Sequence, residues 1–369
     1  MKRKILITGL CFFTLLSTGW VLRLAAKQQT RKINTTPAPP LRAEPAKESD
    51  ATGKTVAAAK ALLATLDGAS RAKVSFAFNS DQKSKWSNLP VGIYNRNGLR
   101  WGDLSAAQRE ATMKLLATAL SKQGLQKVKE IMEGDETLRT PDSGRGIRAA
   151  GPIFGRDEYY LALLGAPSLT EPWMIQFGGH HLAINLAIVG KSNVLTPSLP
   201  AAQPTTYKLN GETVRPLGRE NDKGFALVNS LDAPQRKQAI LPYQVSDLVL
   251  GPGEDGKTIQ PEGIKALALN AAQQEMLLDL AHEWVGILND EAASAKMAEI
   301  KANLPETWFA WSGPTSQGSA AYFRIQGPTL LIEYAPQRLR DGSGGLDLNH
   351  LHTIYRDPTN DYGARLVRR

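Results

Sequence analysis

The stretch Trp173–Val189 reads WMIQFGGHHLAINLAIV. Two apolar runs of strand length meet at adjacent glycines, the residue type that satisfies the positive φ of a tight hairpin loop. The pattern predicts an antiparallel hairpin, with strands at 173–177 and 181–189 joined through Gly178-Gly179. It also places His180 and His181, two of the five histidines of the chain, in apolar surroundings.

Outward from this hairpin, 308–311, 322–326, 330–334 and 350–355 read as further strands of an antiparallel group. The first half is mainly helical, from the Ala/Leu-rich run at 54–66, with a short alternating strand at 74–78. Three helix starts share one chemistry: Ser105, Asp232 and Asn270 are N-caps, and Gln108, Gln235 and Gln273 complete their capping boxes. The first of these helices is expected to reach about Lys122 and stop at Gly124. The third carries Met276, Leu277, Leu280, Trp284 and Leu288 at helical spacing. The expected class is α+β, a largely antiparallel sheet carrying the histidine motifs with peripheral helices.

A chain of 369 residues with 42% hydrophobic residues is ample for a large core. Lys2-Arg3-Lys4 precedes an uncharged run, Ile5–Leu22, which is the pattern of an export signal or an N-terminal membrane anchor. The expected organisation is signal or anchor at 1–24, a disordered Pro/Thr/Ala-rich linker at 25–52, and one large globular domain at 53–369. Export would place that domain in the periplasm, outside the cell or on a membrane anchor. Cys11, the single cysteine, lies in the apolar run, so no disulfide is available to the domain.

The net charge of +9 does not indicate nucleic acid. Residues 1–50 carry +6 of it, leaving +3 for the remainder, an ordinary surface. Membrane contact is expected only through the N-terminal segment. Gly251–Thr258 (GPGEDGKT) matches a phosphate-binding loop in letters. Glu254 and Asp255 would repel phosphate, and Pro261 and Gly263 interrupt the helix that should follow, so it reads as a surface loop.

The second histidine motif, His350-Leu351-His352, has the i, i+2 spacing that puts both imidazoles on one strand face. Glu333 sits in the apolar strand LLIEY, where a carboxylate must be paired, coordinated or at an edge. Adjacent strand residues face opposite ways, so one member of the His180/His181 pair should enter a shared site, and His181 is preferred. The expected ligands are thus drawn from His180, His181, His350 and His352, with Glu333 as a fourth ligand or as the base. Arg356 and Asp357 follow as candidate catalytic or anion-binding residues, against a turn-capping reading for Asp357. His282, on the helix LDLAHEW, reads as a half-buried helix residue, and Trp308, Trp311 and Tyr322 read as core or cleft wall.

At FGGHHL, YFRIQGPTLLIEY and HLHTIYRDPTNDYG the chain resembles an uncharacterised bacterial family, the domain of unknown function numbered thirty-five hundred, over about Leu104 to Gly363. The resemblance implies relatives that are often exported and supplies no activity; His282 has no counterpart in the family pattern. The functional expectation is an extracytoplasmic metal-dependent hydrolase with a divalent transition metal such as zinc. The alternative is a cell-envelope protein that binds a ligand or metal without turnover.

Overall fold

The computed structural model describes residues 31–32, 41, 43–48, 50–139, 153–339 and 341–367. The expected signal or anchor and Cys11 lie outside the described residues. Among the described residues, no helix is long and apolar enough to cross a membrane.

A 12-stranded, mostly antiparallel sheet organises the chain. Its C-terminal half runs in the order Ile264–Lys265, Trp308–Ser312, Tyr322–Gly327, Leu330–Arg338 and Leu346–Arg356. The other half contains Leu182–Val189, Trp173–Gly178, Tyr160–Leu164 and Ser75–Phe76. The two halves are stitched by one short strand, Leu199–Ala202. It pairs Leu351 with Ala202 and His352 with Ala201 on one side, and Leu182 with Pro200 and Ala183 with Leu199 on the other. Both histidine motifs are thereby brought to neighbouring positions although they are far apart in sequence.

One sheet face buries Leu161, Leu163, Trp173, Ile175, Phe177 and Ile332 against the helices in a single extensive core. The other face, with Ala183, Ala201, Leu331 and Ile354, is covered by Trp86, Leu250 and Ile259 from long connections. This arrangement is the α+β class that the strand and helix patterns imply. Trp311 and Tyr322 are fully buried, as a core reading requires.

All three capping boxes form, at Ser105/Gln108, Asp232/Gln235 and Asn270/Gln273. The first of these helices departs from expectation. It ends at Ala119, and a new helix, Lys122–Thr137, starts at the cap Ser121. Gly124 therefore lies inside a helix rather than at its end. A Cβ there would stand 2.4 Å from Ile287 O, so glycine serves close approach of two backbones. Parts of the expected linker are bonded to the domain: Leu41 N donates to Arg365 O, Ala46 N to Leu169 O, and Glu44 O accepts from Lys191 N.

Candidate functional site

The hairpin that opens the site turns one residue later than its glycines suggest. The first strand ends at Gly178 and the second begins at Leu182, with Gly178 opposite Ala183, so Gly179, His180 and His181 form the connection. The turn is closed by Gly179 N donating to Leu182 O at 2.9 Å. A Cβ on Gly179 would lie 2.8 Å from the Tyr159 ring, which explains glycine at that position. Because both histidines occupy the turn, strand alternation does not separate them. Their rings stand 3.6 Å apart between centroids, tilted by 38°.

Opposite the turn, His350 and His352 project from one face of their strand, with Nε2 atoms 3.0 Å apart. His181 Nε2 lies 3.3 Å from His350 Nε2. One donor nitrogen from each of His180, His181 and His350 falls within 4.8 Å of the other two, a group that could hold a metal ion. His352 adjoins this group through His350. His180, His350 and His352 are 6%, 7% and 5% exposed and His181 is fully buried, so the cluster lies just beneath the surface.

Asp135, on the helix Lys122–Thr137, was not signalled by the sequence. Its Oδ1 is 2.5 Å from His181 Nδ1 and 3.6 Å from His180 Nδ1, and its Oδ2 accepts from Tyr159 Oη at 2.7 Å. Burial opposes the charge on Asp135, but His181 and His180 outweigh it and hold the carboxyl well below its ordinary range. Burial, together with His180, lowers His181 to about 4 against the pull of Asp135. His181 is therefore neutral at pH 7, with its Nδ1–H donated to Asp135 and its Nε2 lone pair directed at His350. His180 Nδ1 is buried without a hydrogen-bond partner among the described residues.

His352 is held from outside. Its Nδ1 is 3.1 Å from Asn88 Nδ2 and 3.6 Å from Asp247 Oδ1. Burial lowers its pKa while Asp247 opposes the shift, so it too favours the neutral ring. For Asp247, burial is outweighed by the hydrogen bond with His352, and its pKa is lowered. Phe154 covers the outer side of His180, with ring centroids 5.0 Å apart.

The three other residues singled out in the sequence have well-defined partners. Glu333 shares the sheet face of His352, since it is paired with Ile354 and Ala335 with His352. Its Oε1 accepts from Val249 N and Tyr322 Oη, and its Oε2 from Leu250 N. Arg356 grips the same loop from its carbonyl side, donating to Leu250 O and Gly251 O, and pairs with Asp255 and Asp361. Together they clamp both sides of the Leu250 peptide, on the loop that presents Asp247. Asp357 accepts from Lys296 Nζ and from Thr359 N and Oγ1, the turn-capping arrangement. The phosphate-loop look-alike is a loop as far as Gly256, ends in a two-residue strand, Lys257–Thr258, paired with Arg31–Lys32, and has Lys257 paired with Glu254. His282 is exposed on its helix, not half-buried as expected, because it sits on the outer side of Ala271–Val285.

A family model described as a protein of unknown function (DUF3500) matches residues 48–364, and the chain belongs to that family. The match starts well before Leu104, where the motif resemblance began. No curated protein and no solved structure matches the chain.

Proposed function

We propose that His180, His181 and His350 hold one divalent transition metal ion, zinc in first place, in an exported metal-dependent hydrolase. The observation that carries this reading is the convergence of three buried imidazoles with Asp135 behind them. Two nitrogens bound to one tetrahedral zinc lie roughly 3.3–3.4 Å apart, and His181 Nε2 and His350 Nε2 are separated by 3.3 Å. The donor set is all imidazole, which suits zinc, copper, nickel or iron better than magnesium or calcium. A cation at their centre would compensate the burial of the neutral His181 ring and engage the His180 ring, whose Nδ1 makes no hydrogen bond among the described residues.

An ion so held supplies Lewis acidity toward a carbonyl, phosphoryl or water oxygen. The chain's own contribution is orientation. Asp135 fixes the His181 tautomer, the arrangement that raises imidazole basicity and selects Nε2 as donor. Asp247 and Asn88 do the same for His352, which stands beside the ligands as a further donor. Glu333 and Arg356 keep the Asp247 loop in place, so their role in this reading is to position rather than to react. Lys2-Arg3-Lys4 and the apolar run behind it support export.

One observation favours the second reading, a cell-envelope protein that binds without turnover. Glu333, the carboxylate expected to take a proton, already accepts three hydrogen bonds. Chelation followed by metal restoration separates the two: hydrolysis of a model ester or phosphoester that vanishes and returns supports the enzyme, whereas metal uptake with no turnover in a broad substrate screen supports the binder. Retention of the full-length chain in the cytoplasmic fraction would end the export reading.

A further inference from the structure

Behind the histidine turn lies a small cavity of ≈ 20 Å³, whose wall includes Lys85, Arg96, Asn97, Gln176, Gly178 and Leu182, and to which no Asp or Glu contributes. Gly178 and Leu182 are the residues that flank Gly179–His181, so the cavity and the histidine cluster share the hairpin end as a partition.

Arg96 is half-buried, with the inner end of its guanidinium in the pocket wall. Its Nη2 serves three carbonyls, Ser87 O at 2.6 Å, Leu89 O at 2.7 Å and Gly179 O at 2.7 Å. Its Nη1 is buried and has no hydrogen-bond partner among the described residues. Burial lowers its pKa, and the groups that oppose the shift are led by Tyr159 and Tyr160, with Asp135 last. A guanidinium taken out of water without a carboxylate on it is costly, and a bound anion removes that cost. Lys85 adds a second positive charge, on an exposed side chain. Gln176 Oε1 accepts from Gln82 Nε2 and makes no hydrogen bond to Arg96 Nη1.

We infer that this cavity is a carboxylate subsite belonging to the ligand of the histidine centre. The pocket, ≈ 20 Å³ and partly open to solvent, exceeds the roughly 10–15 Å³ needed for one water, so a carboxylate can reach the buried Nη1 while the rest of its molecule extends outward. With Nη2 taken up by the three carbonyls, Nη1 remains to donate to one carboxylate oxygen, and Lys85 on the same wall can serve the other. Since Arg96 also holds Gly179 O, a ligand anchored by its carboxylate is registered against the turn that carries His180 and His181. This inference rests on the metal reading only for what lies on the far side of the partition; it narrows the substrate to a small carboxylate-bearing molecule, such as an amino-acid or short-peptide derivative.

The test uses full-length protein stripped with chelator, so that no ion competes for the probe. Sodium acetate is titrated by calorimetry and thermal shift against acetamide and sodium chloride. Acetate is expected to bind and raise the melting temperature, with acetamide silent and chloride weaker. Arg96→Gln should weaken acetate binding at least tenfold, and Arg96→Lys less. Should Arg96→Gln fail to fold, Lys85→Gln provides the same reading at the exposed cation, with a loss of about threefold, the scale of one exposed charge pair. Acetate no better than acetamide, chloride equal to acetate, or unchanged binding in the folded Arg96 or Lys85 variants would each overturn the subsite. Zinc uptake is measured in parallel: acetate binding in a chain that takes up no zinc supports the subsite while ending the metal reading, and silent acetate in a chain that binds zinc overturns the subsite alone.

Discussion

Asp135 carries the orientation of the histidine turn, yet it lies in EIMEGDET, a helical run whose charges give no hint of it. Its carboxylate is fully buried and shared among His181, His180 and Tyr159. Asp135→Asn keeps the shape but offers His181 an acceptor without charge. Zinc affinity should fall by about 10–100-fold, the usual effect of removing a carboxylate behind a ligating imidazole, while the fold persists. Competition against a chromophoric chelator reads this directly, and unchanged affinity would show that Asp135 does not support the site. A second residue-scale expectation concerns Asp361, whose pKa burial raises to about 6 against the opposing Arg356. The folded state then holds the proton more tightly than the unfolded chain, so this group's contribution is full below about pH 4 and is lost as pH rises through 6. The stability of the native chain relative to Asp361→Asn should therefore increase as pH falls from 6 to 4 in urea unfolding. A flat difference would remove the assignment. The histidines and Glu333 were legible because each is a polar residue in an apolar run. Asp135 and Arg96 were not, since a charged residue in an otherwise polar segment has no contrast with its neighbours.

The short strand Leu199–Ala202 decides whether the two histidine motifs meet at all. Its surroundings, TPSLPAAQP, read as proline-rich connection, because proline removes ladder donors and demotes a central strand. The structure uses that sparse bonding: Ala201 N donates to His181 O and Pro200 O accepts from Thr353 Oγ1, so the strand joins the two halves through few ladder pairs. The longer strands were readable from alternation, although Leu330–Arg338 runs four residues past its expected end and Leu346–Arg356 starts four residues before its expected start; the turn at Gly179–His181 was not readable, because two adjacent glycines allow either register. Glu333 belongs to this scale as well. Glu333→Gln replaces one acceptor oxygen by a donor facing a backbone N–H, and should cost about 1–3 kcal/mol in denaturant unfolding. Metal stoichiometry should survive the change; its loss would return Glu333 to the ligand set. Gly124→Ala should also destabilise, by about 1–3 kcal/mol, since its Cβ would press on Ile287 O. A neutral result would mean that the helix and the turn at Gly286–Ile287 part easily there.

At the scale of the molecule, a sheet with helices packed on one face and long connections on the other leaves the histidine cluster where the sheet halves join. The class of fold followed from hydrophobic periodicity, which is local; the joining of the halves is a long-range pairing that no local pattern encodes. Membership of the DUF3500 family spans residues 48–364, and so both histidine motifs, without naming a reaction. The account therefore depends on whether an ion occupies the imidazole group. Elemental analysis of the purified chain after exposure to zinc, beside His350→Ala and His282→Ala, addresses this most directly. About one tightly held ion per chain is expected for the native protein and for His282→Ala, whose ring is exposed and remote in sequence from the cluster, with most of it lost from His350→Ala. A native chain that retains no ion, or a folded His350→Ala that retains as much as the native one, would contradict the account.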